Sequence, residues 1–435
     1  MQIRSHFPNN MPTTTARRIN ILDLLLLASL SAPHLAGAQG YQVLDLGTPG
    51  GFTNTSGAYS GAHGINAAGS VAGEWAPNNT EQRAFFYVNG SNTDLGSLSG
   101  MSYAIAYGVN NSNVVVGLAT DYLFTTRAFV YTNGAMVALS AVTNPYSIAH
   151  AINDAGLIVG ESVVAVVAAK EVVHAVIFQG GGQQTDLGTL STGDYSSAMG
   201  INNSNVIVGL STVISGSVTN VNAFTYSNGV MSNLGTLPGG NYSSAFGIND
   251  AGQIVGEAAN SNGNIHAFLY HGAMTDLGTL GGNNSSATAI NSAGQVVGYA
   301  LTTNGNQHAF LYNGSMMLDL NNLIPSSSVF TNLISGDGIN NLGQITGWGQ
   351  TTNGETHAFL LTPTLQLASP QALANGQFQV TIQGVPGEHF ALLVSSNLSN
   401  WTSLATNTLA GSSTNWVDTT APSYNYRFYR ALLLP

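Results

Sequence analysis

The chain has 435 residues, enough for one large domain and a smaller one, and it is 44% hydrophobic but only 6% charged. This balance excludes disorder, and the scarcity of Glu, Lys and Arg argues against surface helices. A net charge of −11 argues against nucleic acid and anionic membranes as partners, and the absence of cysteine excludes disulfides and thiolate metal sites.

The N-terminal segment predicts export. Two arginines precede an apolar run at residues 19–30, and the Ala-Gly-Ala triplet at 36–38 gives a small-x-small cleavage pattern. We therefore expect a signal peptide over residues 1–38, with either Met1 or Met11 as the true start. A buried or membrane helix is the rival interpretation, but the run is short for a bilayer span, so we expect no membrane insertion after signal cleavage.

Residues 39–363 contain one unit repeated seven times. Its marker is an asparagine after Ile or Val, recurring at spacings of 42 to 49 residues: Asn66, Asn110, Asn153, Asn202, Asn249, Asn291 and Asn340. Each repeat has four short apolar runs, which we call strands a to d. In the fifth repeat they are Ser244–Ile248, Gln253–Ala258, His266–Tyr270 and Ala273–Leu277. Four strands in a repeat of this length predict a propeller blade rather than a solenoid of helices.

The two ends of the array predict how it closes. It begins with a d-type strand at Val43–Gly47 and ends with a c-type strand at His357–Leu361. Together these pieces complete one blade, and such overlap closes a ring without open sheet edges. The fold class is therefore all-β, a seven-bladed β-propeller of four-stranded blades closed by its N- and C-terminal strands.

The turn after strand a has its own signature. Three residues after each marker asparagine stands Gly or Asn, the residues that best tolerate positive φ. We expect a left-handed residue there and a marker side chain that caps the turn. Two and four residues before each marker stands Gly or Ala, which predicts a flat strand face against a neighbouring blade.

A recurring triplet carries a family resemblance. It reads His-Ala-Phe at His266–Phe268, His308–Phe310 and His357–Phe359, with degenerate copies in the other repeats and Asp-Leu-Gly-Thr-Leu nearby at 186–190 and 276–280. These residues resemble the HAF-family extracellular repeats over about three quarters of the chain. The resemblance implies an exported bacterial protein, and implies no activity.

The triplet histidines suggest a metal site at first, but one per blade places them too far apart to share an ion. We instead expect each first residue of the triplet to pair with a residue of strand d within its blade. The predicted pairs are His357 with Asp45, Arg83 with Asp94, His174 with Asp186, His266 with Asp276, and His308 with Asp319. Asn222 with Asn233 is a neutral version, and Arg127 opposite Ala138 is the exception.

Tyrosines supply the candidate ligand site. Seven residues before the marker, at the entry to the innermost strand, stand Tyr59, Tyr103, Tyr146, Tyr195 and Tyr242. Such a ring can stack on sugars, and the alternative is packing between blades. Variable b–c loops on the same face are a second candidate surface.

Three acids provide the only enzymatic hint. Glu74, Glu161 and Glu257 end strand b in alternate blades on that face. We read the alternation as a trace of duplication and predict no catalytic residue.

Residues 364–435 lie outside the repeat and resemble small C-terminal β-sandwich modules of bacterial secreted proteins. Alternating residues at Phe378–Ile382 and Phe390–Val394 predict strands.

The sequence thus predicts a secreted or cell-surface, non-catalytic binding or adhesion scaffold for a glycan or a surface protein. The alternatives are a propeller glycosidase or polysaccharide lyase, and a structural cell-surface component. No cofactor is predicted, and calcium stays open because loop oxygens bind it without a readable motif.

Overall fold

The computed structural model describes residues 3–6, 40–47, 58–78, 81–141, 146–191, 193–215, 218–373, 376–385, 387–411, 413–424 and 426–434. The apolar run and cleavage pattern of the predicted signal peptide lie outside these residues. Within the described part of the chain, no helix is long and apolar enough to cross a membrane. The chain divides into two compact units, one of residues 43–322 and 327–361, the other of residues 1–42, 323–326 and 362–435.

The larger unit is built from antiparallel sheets of four strands, and the strands are numbered here in chain order. The first two strands of the chain are β1 (Ile3–His6), which belongs to the smaller unit, and β2 (Tyr41–Asp45). Blade 1 is β3 (Tyr59–Ile65), β4 (Val71–Asn78), β5 (Glu81–Val88) and β6 (Ser91–Gly96). Blade 2 is β7 (Tyr103–Val109), β8 (Val115–Thr120), β9 (Thr126–Thr132) and β10 (Ala135–Ala138). Blade 3 is β11 (Ser147–Ile152), β12 (Ile158–Val167), β13 (Lys170–Gly180) and β14 (Gln183–Asp186).

The later sheets repeat this order. Blade 4 is β15 (Ser196–Ile201), β16 (Ile207–Ser215), β17 (Val218–Ser227) and β18 (Val230–Gly235). Blade 5 is β19 (Ser243–Ile248), β20 (Ile254–Ala259), β21 (Ile265–Tyr270) and β22 (Met274–Asp276). Blade 6 is β23 (Gly281–Ile290), β24 (Val296–Thr302), β25 (Gln307–Tyr312) and β26 (Met317–Asp319), followed by a 3-10 turn at Leu320–Asn322. Blade 7 is β27 (Phe330–Ile339), β28 (Ile345–Thr351) and β29 (Thr356–Pro363), with β2 pairing on β29 as its fourth strand.

Strands a of successive blades contact one another, including β27 with β3, so they form the innermost ring. The all-β class and the β-propeller architecture are therefore confirmed. The pairing of β2 with β29 closes the ring as the ends of the array predict.

The a–b turn has the predicted backbone. The third residue after every marker asparagine has positive φ, from 61° to 83°: Gly69, Asn113, Gly156, Asn205, Gly252, Gly294 and Gly343. The side-chain oxygen of Asn202 accepts hydrogen bonds from the N–H groups of Ser204 and Val206, which caps the turn. The expectation of a left-handed, asparagine-capped turn is confirmed.

A β-bulge interrupts every strand a at the third residue before its marker, where the register against strand b shifts by one. Strand b approaches closely here, so that a Cβ added to Gly256 would lie 1.9 Å from the carbonyl oxygen of Ser244. The same position is glycine in every repeat, with a would-be Cβ 1.9 to 2.1 Å from a strand-a carbonyl: Gly73, Gly117, Gly160, Gly209, Gly256, Gly298 and Gly347. Only glycine avoids this clash.

The core lies between adjacent blades. The phenylalanines of the triplet are fully buried: Phe85, Phe129, Phe224, Phe268, Phe310 and Phe359. Phe268 and Ile254 of blade 5 pack with Val208 and Ala223 of blade 4, so each interface is a layer of apolar side chains. Burial of such layers is the main stabilising term of the ring.

The smaller unit contains two sheets around one core. One sheet has the order β1, β35 (Tyr426–Leu433), β32 (His389–Ser395) and β33 (Thr402–Thr408). The other has the order β30 (Gln366–Ala372), β31 (Phe378–Gln383) and β34 (Ser413–Asp418), and a 3-10 turn lies at Ala421–Ser423. Phe378 of one sheet stacks on Tyr429 of the other, with ring centroids 4.8 Å apart. Both predicted strands of this region are present.

Candidate functional site

The marker asparagines join the blades in a closed ring of hydrogen bonds. The side-chain N–H of each one donates to the backbone carbonyl of the marker in the next blade, and Asn340 donates to Asn66 across the closure. The distances lie between 2.9 and 3.2 Å, and the donor side chains are buried. These residues hold the blades together, and their side-chain amides are used in bonds within the ring.

The predicted pairs of strands c and d lie within hydrogen-bond distance. His174, His266 and His357 each place Nδ1 2.8 to 3.0 Å from an oxygen of their aspartates, His308 does so at 2.7 Å, and Arg83 contacts Asp94 at 2.9 Å. The aspartate also accepts the N–H of the residue two positions later, as Asp276 does from Gly278 at 2.7 Å. The pair thereby fixes the register of the outer hairpin.

The five candidate tyrosines stand at blade junctions. Each is half-buried and forms a single parallel backbone bridge to strand c of the preceding blade. The hydroxyl groups of Tyr146 and Tyr195 both donate to the carboxylate of Glu161, the second at 2.6 Å, and Tyr242 donates to Glu257 at 2.8 Å. The structure thus brings the predicted tyrosines and the predicted acids together at one end of the ring, which we call the tyrosine end.

The hydroxyl groups of these three tyrosines are committed to structural hydrogen bonds. Burial, reinforced by Glu161, raises the pKa of Tyr146 and Tyr195, so both stay protonated donors. Tyr103 instead contacts Tyr122 edge-on, with ring centroids 5.6 Å apart. The hydroxyl groups of Tyr146, Tyr195 and Tyr242 are therefore already used by the fold.

The bulge residues form a second ring that sequence reasoning missed. A bulge re-aims its side chain, and here strand a is innermost, so this position faces the axis of the ring. We call these residues the bore residues: His63, Tyr107, His150, Met199, Phe246, Thr288 and Asp337. The sequence does mark these residues, because the third position before the marker asparagine differs chemically in almost every repeat while the residues on both sides of it are always Gly or Ala.

Contacts between neighbouring bore residues support this placement. The ring of Tyr107 lies 5.5 Å from those of both His63 and His150, centroid to centroid. His63 contacts Glu74 through Nε2 and Asp337 through Nδ1, the latter at 3.4 Å. Four blades thus contribute to one polar wall.

Two histidines in this wall differ in charge at neutral pH, because their pKa values are displaced in opposite directions. Burial alone would lower the pKa of His63, but the carboxylates of Glu74 and Asp337 outweigh it and raise the pKa to about 10. Burial lowers the pKa of His150, against the weaker field of Glu161. Burial, and then the fields of Glu74 and Glu161, raise the pKa of Tyr107 to about 12. At neutral pH a cationic imidazole and a neutral one therefore flank a protonated tyrosine.

The opposite end of the ring is lined differently. A depression of about 200 Å³ there is lined by the marker asparagines and the residues beside them. The residues after the markers bond to one another, as Asn203 does to Asp154 and Asp250 at 3.1 and 3.2 Å. Their oxygens already have donors. Among the described residues, no group of three or more His, Asp or Glu has the geometry of a metal site.

These features define a β-propeller with an inward-facing ring of non-equivalent side chains. No family model matches the chain, and no curated protein matches it. Solved structures that it resembles include the β-propeller domain of the Trilobed protease from Pyrococcus furiosus, at 12% identity and a TM-score of 0.49, covering 71% of this chain and 94% of that one.

Two further structures are similar at lower scores. A fucose-recognising lectin from Aleuria aurantia with a six-bladed β-propeller fold is 10% identical, with a TM-score of 0.33, covering 82% of this chain and 97% of that one. A gluconolactonase from Xanthomonas campestris is 9% identical, with a TM-score of 0.37, covering 75% and 92%. At these identities and scores the likenesses carry no argument about function.

Proposed function

We propose that this protein is a secreted, non-catalytic binding scaffold whose ligand, a glycan, enters the bore from the tyrosine end. The observation that carries the proposal is the chemical variety of the bore residues on an otherwise repetitive strand. A purely structural ring would need only one small residue repeated around the axis. Varied side chains on a rigid scaffold are typical of a binding site.

The distribution of these side chains favours a sugar. His63, Tyr107 and His150 supply hydrogen-bonding groups on one side, while Met199 and Phe246 in blades 4 and 5 supply apolar surface on the other. A sugar ring has hydroxyl groups around its edge and apolar C–H faces, so it matches a bore with one polar and one apolar wall. The half-buried tyrosines at the tyrosine end add aromatic surface beside this path.

Export is the second part of the proposal. The predicted signal peptide over residues 1–38 and the resemblance to HAF repeats support it. Sequencing the N-terminus of protein recovered from the culture medium tests this part, and a start at Gln39 is the expected result.

Binding is tested by a glycan and cell-wall polysaccharide array with the folded protein, followed by calorimetry on any ligand found. Tyr107→Ala is expected to weaken binding about tenfold or more, since it removes a central contact. Tyr270→Ala is the matched control, because this half-buried tyrosine lies on strand c outside the bore. Failure of the folded protein to bind any sugar, or equal affinities for both variants, overturns the proposal.

One observation favours a catalytic alternative. His63 and His150 have pKa values displaced in opposite directions on either side of Tyr107, and such separation is typical of an acid and a base. A glycosidase or lyase is therefore the second candidate. Release of reducing sugar or of an unsaturated product from a bound polysaccharide, lost in His63→Gln and His150→Gln, supports the enzyme. Intact ligand after prolonged incubation with the parent protein supports the scaffold.

A further inference from the structure

The b–c turns of blades 5, 6 and 7 share one conformation. In blade 5 the N–H of Asn260 donates to the carbonyl of Asn264, that of Gly263 donates to Asn260, and the Asn260 side chain accepts two further N–H groups. Gly263 has a φ of 79°, and the equivalent glycines at 305 and 354 have a φ of 80°. A short polar sequence is therefore sufficient for this turn.

The b–c turn of blade 2 has the same hydrogen bonds with a different sequence. The N–H of Asp121 donates to Thr125, that of Phe124 donates to Asp121, and the Asp121 side chain accepts from Leu123 and Thr125. Tyr122, Leu123 and Phe124 stand where blade 5 has Ser-Asn-Gly. Phe124 occupies the glycine position with a φ of 64°.

This substitution is unfavourable for the fold alone. A bulky residue at positive φ is strained, and glycine is not. Leu123 and Phe124 are also 85% and 86% exposed, so the folded chain gains little from burying them. The turn keeps the hydrogen bonds of its polar counterpart and displays apolar side chains that the fold does not bury.

Blade 3 also exposes apolar residues at its b–c turn, with a different turn conformation. Val166 and Val167 are 63% and 61% exposed at the end of the long b–c hairpin of blade 3. The turn beyond them is Ala168–Ala169, both at positive φ. Three c–d hairpins build a turn with two positive φ values from Asn-Gly, at 89–90, 133–134 and 228–229. Blade 3 therefore also places apolar residues where the chain elsewhere uses polar ones.

The described parts of the b–c turns lie at the tyrosine end, and blades 2, 3 and 4 are consecutive. We call the exposed apolar residues of these turns the apolar tips: Tyr122, Leu123, Phe124, Val166, Val167 and Val218. Two exposed charged residues, Lys170 and Glu171, stand opposite Val167 and Val166 on the blade 3 hairpin, and Lys170 contacts Asp194 at 2.8 Å. The blade 2 turn carries one carboxylate, Asp121, which precedes the tip and accepts the N–H groups of Leu123 and Thr125.

We propose that the apolar tips dock onto an uncharged lipid bilayer. Side chains at the ends of separate hairpins present projecting apolar surface rather than a groove, and a fluid bilayer can receive such projections without a complementary shape. The blade 2 tip carries no charged residue between Asp121 and Thr125, and the charged pair beside the blade 3 valines can stay at headgroup level in a shallow contact. The net charge of −11 selects zwitterionic over anionic lipid.

This inference departs from the expectation of no membrane insertion. That expectation rested on the absence of long apolar runs in the chain. Docking through loop tips needs only a few apolar residues in each of several turns, and their exposure becomes visible only in the folded ring.

Flotation with phosphatidylcholine vesicles tests the proposal. The triple variant Tyr122→Ser, Leu123→Asn, Phe124→Gly copies the blade 5 turn and keeps its hydrogen bonds. It is expected to lower the vesicle partition coefficient about 100-fold or more, since each large apolar side chain contributes about tenfold. Its unfolding midpoint is expected to match or exceed that of the parent, which separates lost docking from lost folding.

Fluorescence locates the contact. Leu123→Trp is expected to shift its emission to the blue and to be quenched by brominated lipid. Asn262→Trp, at the same turn position in blade 5, is expected to show neither effect. Absence of vesicle binding by the parent, equal signals from both tryptophans, or loss of a dimer rather than of lipid binding in the triple variant overturns the proposal.

Discussion

Replacing one buried asparagine of the hydrogen-bonded ring by alanine is expected to destabilise the propeller strongly. Asn202→Ala removes two acceptor bonds, from Ser204 at 3.1 Å and Val206 at 2.9 Å, and one donor bond, to Asn249 at 3.0 Å. Each hydrogen bond contributes about 1 kcal/mol net, and a buried group left without a partner costs more. We therefore expect a loss of about 3 kcal/mol in the free energy of unfolding.

Urea unfolding followed by circular dichroism measures this loss, with comparison restricted to variants of unchanged m value. Asn222→Ala is the control, since its single side-chain bond to Asn233, 3.1 Å long, lies at the surface. That variant is expected to lose less than about 1 kcal/mol. Asn340→Ala is expected to cost as much as Asn202→Ala, because it makes the same bonds across the closure. Equal, small losses for Asn202→Ala and Asn222→Ala refute the reasoning.

Three further outcomes are expected. Gly256→Ala places a Cβ 1.9 Å from the carbonyl oxygen of Ser244, so we expect little soluble folded protein on expression. The folded state raises the pKa of His63 to about 10, so the protonated imidazole stabilises the fold fully below a pH of about 6.5. Above that pH the stabilisation falls by at most about 1.4 kcal/mol per pH unit, and it is lost past pH 10. His63→Gln should therefore flatten the pH profile of the free energy of unfolding. Asp418→Asn leaves the buried guanidinium of Arg427 without its carboxylate 2.9 Å away and should cost about 3 kcal/mol, measured by thermal unfolding of the smaller unit.

Each has a matched control. An alanine at Gly272 meets no atom within 4 Å, so Gly272→Ala should cost only the strain of a φ of 82° and yield soluble protein. A pH profile of His63→Gln that falls as steeply as that of the parent contradicts the assignment of the cation. Asp276→Asn changes an exposed pair with His266 and should cost less than about 1 kcal/mol. Equal effects of Asp276→Asn and Asp418→Asn contradict the argument from burial.

Most of the fold can be predicted from the sequence, because every copy of the repeat has the same pattern of apolar, turn and marker residues. In blade 5 the predicted strand bounds differ from the observed ones by at most one residue. The glycine or asparagine three residues after each marker predicts a positive φ, because few other residues tolerate that conformation. The circular arrangement follows from a strand of d type at the start and one of c type at the end.

The candidate site was harder to predict. Tyr146 and Glu161 were selected for separate reasons, and nothing in their spacing shows that both Tyr146 and Tyr195 donate to that one carboxylate. The bore residues were missed because a bulge breaks the simple alternation of strand faces. With strict alternation, position 63 would not be expected to lie beside Asp337 of the last blade.

The sequence by itself determined the repeat unit, its four strands, its turns, the closing blade and the register pairs on the outer hairpins, because these depend on residues close together in the chain or on equivalent positions of the repeat. The tertiary structure alone decided which acids face which histidine of the bore and which tyrosines share a carboxylate. Those relations depend on contacts between different blades, as between His63 and Asp337. Local preferences fix a blade, whereas the environment of a charge or an apolar tip is set only when the blades pack together.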